Sequence, residues 1–248
     1  MERLSTIWDV FDDIRCIHYT PYKQRWNRMS SELERVGILG HPSFRWKLTG
    51  DSPFYEKLYE CIPHAEINGG VPVFKASLAH YECIKEAYEL GKERVLFMEN
   101  DMVFLKDVGR IREIVSKIPL EYDIILFDKF LHLDNSVYQD WVNNWSINDE
   151  YARFSRLWSV GCYSLSRKGM EHFIRNQEKM FNVSDWYVGY KDDALEDKTL
   201  RRAFSVTNLC VQDFSYKDCL NAQLYGDNVI VETYKKTGVD FSLYNLKD

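Results

Sequence analysis

Arg94-Val95-Leu96-Phe97-Met98-Glu99-Asn100-Asp101 is an apolar run of strand length that ends abruptly on a pair of carboxylates. A buried strand tipped with acids places them at its carboxyl end, where open α/β sheets bind ligands. On an extended segment an i, i+2 pair points both acids the same way. Two hard oxygen ligands suit Mg²⁺ or Mn²⁺ and, through the ion, a diphosphate. Asp123-Ile124-Ile125-Leu126-Phe127-Asp128 repeats the pattern of a buried strand ending on an acid.

Upstream, Ile14–Tyr19 reads as a short strand of mixed burial that runs into Thr20-Pro21, a turn and helix start. Tyr22, Trp26, Met29, Leu33 and Val36 then form one apolar helical face, closed by Gly37. Phe44–Leu48 is a second strand. Residues 64–75 read as irregular, and a helix is expected over Ser77–Leu90, stopped by Gly91. Past Leu105 a helix spans 107–117, and 129–157 reads as a long polar and aromatic insertion with one helix. Trp158–Leu165 returns to strand, Ser166 caps a helix reaching Met180, and Ala203–Val211 is the last strand; 214–225 is read as a short helix. Strands alternating with helices predict an α/β fold with a mostly parallel sheet flanked by helices.

The 248 residues are read as one domain over 1–248, with 45% hydrophobic and 28% charged residues, values that exclude a disordered or fibrous chain. A net charge of −6 and a pI near 5.6 argue against a nucleic-acid-coating protein. No run is long and apolar enough to span a membrane, and Met1-Glu2-Arg3-Leu4 opens no secretory signal. The six cysteines form no CxxC, so they are expected to be buried thiols in a reducing compartment, and the location cytoplasmic. Aromatic residues reach 15%, with Trp141, Trp145, Tyr151, Trp158, Trp186 and Tyr187 dense enough to suggest rings for stacking on sugars. GxxxxGK[ST] and GxGxxG are absent, so a bound nucleotide's phosphates need a metal or basic side chains. The six histidines are scattered and each reads more readily as structural than catalytic.

The order of segments resembles glycosyltransferase family 25, the lipooligosaccharide and collagen galactosyltransferase type. Its opening strand, arginine-bearing helix and closing glycine resemble Ile14–Tyr19, Arg25 and Val36-Gly37-Ile38. Lys75-Ala76-Ser77-Leu78-Ala79-His80 resembles its GCALSH block, and Met98-Glu99-Asn100-Asp101 its LEDD. Cys162–Met170, Val183-Ser184-Asp185 and Cys210-Val211-Gln212 follow its later motifs in order. Lys75, Ala79 and Asn100 depart from the pattern.

The resemblance implies a GT-A-type single domain that transfers a sugar from a nucleotide-diphosphate donor with inversion, with 1–128 holding the donor and 129–248 the acceptor. Glu99 accepts from the ribose, Asp101 holds Mn²⁺ or Mg²⁺ with Glu99 as the second candidate ligand, and the ion stabilises the leaving diphosphate. Tyr19, Thr20, Arg25 and His80 are assigned to the donor site, Tyr19 by stacking on the base and Arg25 by meeting a phosphate. Asp185 is the candidate catalytic base, with Asp128 its rival and Asp192-Asp193 behind it. UDP is the expected nucleotide. A bacterial or viral surface glycan or glycolipid is the expected acceptor, recognised by the 129–157 segment and reached at most by peripheral membrane contact. A metal-dependent nucleotidyltransferase and a degenerate, non-catalytic binding module are the alternatives.

Overall fold

A computed structural model describes residues 6–20, 22–50, 57, 60, 70–128, 135–154, 161–179, 200–213 and 239–246. The elements of the first half are β1 (Asp13–Tyr19), α1 (Lys23–Arg35), β2 (Phe44–Thr49), α2 (Gly70–Glu89), β3 (Arg94–Glu99), β4 (Met102–Phe104), α3 (Val108–Ser116) and β5 (Ile124–Leu126). Then come α4 (Asn135–Asn144), β6 (Tyr151–Arg153), β7 (Cys162–Ser166), α5 (Arg167–Lys179), β8 (Arg202–Ser205) and β9 (Cys210–Gln212).

Among the described residues a seven-stranded sheet runs in the order β2-β1-β3-β7-β5-β8-β6, and β4 pairs with β9 in a separate two-stranded ribbon. β7 and β6 are antiparallel to their neighbours; the other strands of the sheet share one direction. The chain is therefore α/β with a mostly parallel sheet flanked by helices, as its pattern predicts. Alternation along β3 explains its unbroken apolar run, because both faces are covered. Leu96 and Met98 join the core that α1 and α3 close with Met29, Leu33, Ile111 and Ile114. Val95 and Phe97 join the opposite core, closed by α2 and α5 with Cys83, Ile84 and Phe173.

Several sequence expectations are corrected. β1 is buried along its length up to Tyr19 rather than mixed, because its charged residues find partners inside: Arg15 Nε donates to Asp13 Oδ2 at 2.8 Å and Nη1 to the Cys83 carbonyl at 3.0 Å. α2 starts at Gly70, seven residues before the expected Ser77. Pro72 does not prevent this, since the first N–H groups of a helix have no partner within it. The 129–157 segment holds β6 as well as the expected helix. The expected last strand over 203–211 is two strands in two different sheets, β8 and β9. Gly37 and Gly91 adopt φ of 78° and 72° and end α1 and α2 at the predicted points. The expected 214–225 helix lies outside the described residues. Cys16, Cys83, Cys162 and Cys210 are free and buried. Among the described residues no helix is long and apolar enough to cross a membrane.

Candidate active site

The carboxyl end of β3 does not continue as an extended acid pair. The chain turns at Asn100-Asp101 and re-enters as β4, so the acids do not share one extended segment, and each is held by a different helix, Glu99 from α2 and Asp101 from α1. On the α2 side, His80 Nε2 donates to Glu99 Oε1 at 3.0 Å. The other ring nitrogen, Nδ1, lies 2.7 Å from Tyr163 Oη. A carboxylate only accepts, so the neutral ring carries its proton on Nε2 and Tyr163 donates to Nδ1. Both nitrogens of His80 are thus engaged, and its contact with the site is the orientation of the half-buried Glu99. Replacing Tyr163 by Phe is expected to cost about 1 kcal/mol. In a chain of this size that lowers the melting temperature by about 2–4 °C; an unchanged melting curve would remove the hydroxyl from this chain of bonds.

On the α1 side, Arg25 Nη1 stands 3.2 Å from Asp101 Oδ2, with its guanidinium 4.5 Å from the centre of the Tyr22 ring. The arginine is buried, not a solvated helix residue. Gln212 Nε2, arriving on β9, donates to the same Asp101 oxygen at 3.1 Å. The second oxygen, Oδ1, is buried and has no hydrogen-bond partner among the described residues. Burial is the leading cause that pushes the Asp101 carboxyl up to about 6, opposed by Arg25 and reinforced by Glu99.

Beside it, the Asp213 amide donates to the Asp101 carbonyl at 2.7 Å, and Arg28 Nη1 meets Asp213 Oδ2 at 2.5 Å. Asn100 Nδ2 donates to His18 Nδ1 at 2.5 Å, fixing the turn to the end of β1. The His18 ring in turn packs edge-on against Trp26 and Trp46 at 4.9 and 5.9 Å.

Asp128, at the tip of β5, belongs to the floor of the same region. A Cβ on Gly161 would lie 2.6 Å from Asp128 Oδ2 and 2.7 Å from Met102 Sδ, so glycine is what allows the three chain segments to meet. The Gly161 carbonyl also accepts from the Glu99 amide at 2.8 Å. Tyr19 and Thr20 sit at the same sheet edge, with Tyr19 edge-on to Tyr22 at 4.9 Å and the Thr20 amide bonded to the Thr49 carbonyl at 2.8 Å. The structure therefore gathers Tyr19, Thr20, Arg25, His80, Glu99, Asp101 and Asp128 at one edge. Asp185 and Asp192-Asp193 lie outside the described residues, as do Trp158, Trp186 and Tyr187. Trp141 is buried, and Trp145, stacked on it, lies near the β6 edge, with β7, β5 and β8 between β6 and β3.

Residues that the sequence leaves without a role complete the arrangement: His18, Arg28, Gln212 and Asp213. Arg28 follows Arg25 by one helical turn, a spacing that places both on one face.

No protein-family model matches the chain, and no curated protein does. Solved structures do. The galactosyltransferase LgtC, in complex with donor and acceptor sugar analogs, aligns over 95% of this chain and 98% of its own, with 12% identity and a TM-score of 0.40. Mouse xyloside xylosyltransferase 1 covers 90% and 92% at 8% identity and TM-score 0.38. UDP-glucose pyrophosphorylase complexed with UDP-glucose covers 89% and 81% at 8% identity and TM-score 0.37.

The acid turn is compatible with a divalent cation. It offers an ion a buried carboxylate oxygen without a hydrogen-bond partner among the described residues and a second, partly exposed carboxylate nearby. Carboxylates also outnumber guanidiniums among its described groups: Glu99, Asp101, Asp128 and Asp213 against Arg25 and Arg28. Elsewhere, Glu113, Asp149 and Glu150 bring three potential ligand atoms within 4.8 Å of one another. Arg110 and Lys117 already neutralise that group.

Proposed function

We propose that this chain is a metal-dependent, inverting glycosyltransferase that moves a sugar from a nucleotide-diphosphate donor, with UDP as the nucleotide, to a glycan or glycolipid acceptor. The observation that carries this reading is Asp101: a carboxylate buried at the carboxyl edge of a mostly parallel sheet, with one oxygen held by Arg25 and Gln212 and the other without a hydrogen-bond partner among the described residues. A group placed at that energetic cost is a functional candidate. The sequence resemblance to glycosyltransferase family 25 assigns the same turn to the donor.

In this reading Asp101, with Glu99, holds Mn²⁺ or Mg²⁺, and the bound ion supplies Lewis-acid stabilisation of the leaving diphosphate. Glu99 is aimed by His80 and accepts from the ribose hydroxyls. Tyr19 offers its ring to the base, beside Thr20, at the end of β1. Arg25 supplies positive charge for phosphate. Asp185 takes the acceptor hydroxyl's proton; Asp128, only 2% exposed, suits the floor of the site better than contact with an acceptor.

The test is thermal denaturation with UDP, GDP, CMP, ATP and common nucleotide sugars, each with Mn²⁺, Mg²⁺ or EDTA. At 100 times its dissociation constant a ligand adds about 2.7 kcal/mol, a rise of about 5–10 °C at this size. Stabilisation by UDP or a UDP-sugar that EDTA abolishes is the expected result. Stabilisation by triphosphates alone would replace the reading with nucleotidyl transfer. Donor binding without transfer or hydrolysis would leave a non-catalytic binding module.

A further inference from the structure

The face of α1 that meets the acid turn is a charged seam. Arg25 and Arg28 reach Asp101 and Asp213. One and two turns on, Glu32 Oε2 accepts from the Phe104 amide at 3.2 Å, and Arg35 Nη1 donates to the Leu105 carbonyl at 2.9 Å. The lower part of the seam is plain structure, since Glu32 and Arg35 pair with each other at 2.7 Å and with backbone that stays in place. The upper part differs. Its two acids are adjacent, joined by the Asp213 amide on the Asp101 carbonyl. The acids are almost fully buried, at 4% and 1% side-chain exposure, while the arginines that cover them are more exposed, at 8% and 15%.

We infer that Arg25 and Arg28 form a clasp over Asp101 and Asp213 that exchanges partners when donor and metal arrive, the carboxylates passing from guanidinium to cation and the guanidiniums from carboxylate to diphosphate. This rests on the glycosyltransferase reading and adds Arg28 and Asp213 to its donor site. The chemistry favours the exchange in both directions. Guanidinium matches phosphate with paired, charge-assisted hydrogen bonds, and a hard divalent ion prefers carboxylate oxygen. Each buried charge keeps a counter-charge throughout, which avoids the penalty of an unpaired buried ion. A cation alone draws the carboxylate charge away from the arginines without giving them a new partner, so metal and diphosphate bind each other's site form better than either binds the resting one.

The clasp makes a prediction of opposite signs that a purely structural role does not. The intact chain and its Arg25→Gln and Arg28→Gln variants are titrated with Mn²⁺ alone, following free Mn²⁺ by electron paramagnetic resonance, and with UDP at saturating Mn²⁺ by calorimetry. Each variant is expected to bind Mn²⁺ alone at least about 5-fold more tightly and UDP at least about 10-fold more weakly. Arg25→Lys, which restores the charge without the fork, is expected to return Mn²⁺ affinity toward that of the starting chain while UDP affinity stays low. If both affinities fall together, or neither moves, the clasp is wrong and the parent reading stands. Should the starting chain bind neither Mn²⁺ nor UDP, both are overturned. Arg28, the more exposed of the two, decides the matter if the Arg25 variants fail to fold.

Discussion

Asp101→Asn is expected to weaken Mn²⁺-dependent binding of UDP by at least about 100-fold, or about 2.8 kcal/mol. The amide keeps the shape of the side chain and an acceptor for Arg25, but it removes the negative charge that a divalent ion needs. The fold should tolerate the change. Two contributions oppose one another: the buried Arg25 loses its counter-charge, which destabilises, while the desolvated carboxylate, whose pKa burial has driven up to about 6, is no longer there to be charged. Their near-cancellation predicts a stability within about 1 kcal/mol of the starting chain. Calorimetry with Mn²⁺ and UDP, beside a melting curve of the same sample, separates the two. Unchanged Mn²⁺-dependent binding would take the metal away from this turn.

Gly169→Ala should destabilise the chain by about 2 kcal/mol, lowering its melting temperature by about 4–8 °C. Helix propensity alone predicts the reverse, since alanine is better than glycine in a helix by about 1 kcal/mol. Packing decides the sign. A Cβ at Gly169 would lie 2.5 Å from the Asp123 carbonyl oxygen and 3.3 Å from its carbon. That backbone cannot retreat. Asp123 accepts from the Ser166 amide at 2.9 Å, donates its own amide to the Arg201 carbonyl at 2.8 Å, and holds Ser166 Oγ through Oδ1 at 2.8 Å. α5 must therefore lift off the start of β5, and overpacking of this kind costs about 1–3 kcal/mol or more. A rise in melting temperature would show that the helix does not approach the strand so closely.

The main elements were legible because apolar period carries them. β3 could be read from five residues, and α1 from the spacing of Tyr22, Trp26, Met29, Leu33 and Val36. What the period does not carry is strand direction, so the antiparallel insertion of β7 between β3 and β5 had no signature. The division of 203–211 into β8 and β9 was hidden for a related reason: a strand that changes sheet keeps the composition of a strand. In the candidate site the sequence singles out Glu99, Asp101, Arg25 and His80, but not how they are joined. Arg25, Arg28, Glu32 and Arg35 repeat at the same helical spacing as the apolar stripe, offset from it by one residue. A charged face of a helix ordinarily meets water, and here it meets β4 and the acid turn. Gln212 and Asp213 could be placed only by a pairing across most of the chain, which no local pattern encodes.

That pairing also orders events in time. Arg25 precedes Asp101 by 76 residues, and Gln212 follows it by 111. During synthesis at about 5–20 residues per second, roughly 5–20 s pass between the emergence of the acid turn and that of the strand that covers it. Through this interval β1, β2 and β3 can already associate, whereas β9 does not yet exist. Among the described partners of the Asp101 side chain, Arg25 is then the one available to neutralise it. The same arginine that the proposed function assigns to the donor is thus placed to keep a nascent chain from burying a bare carboxylate while β9 is still being made.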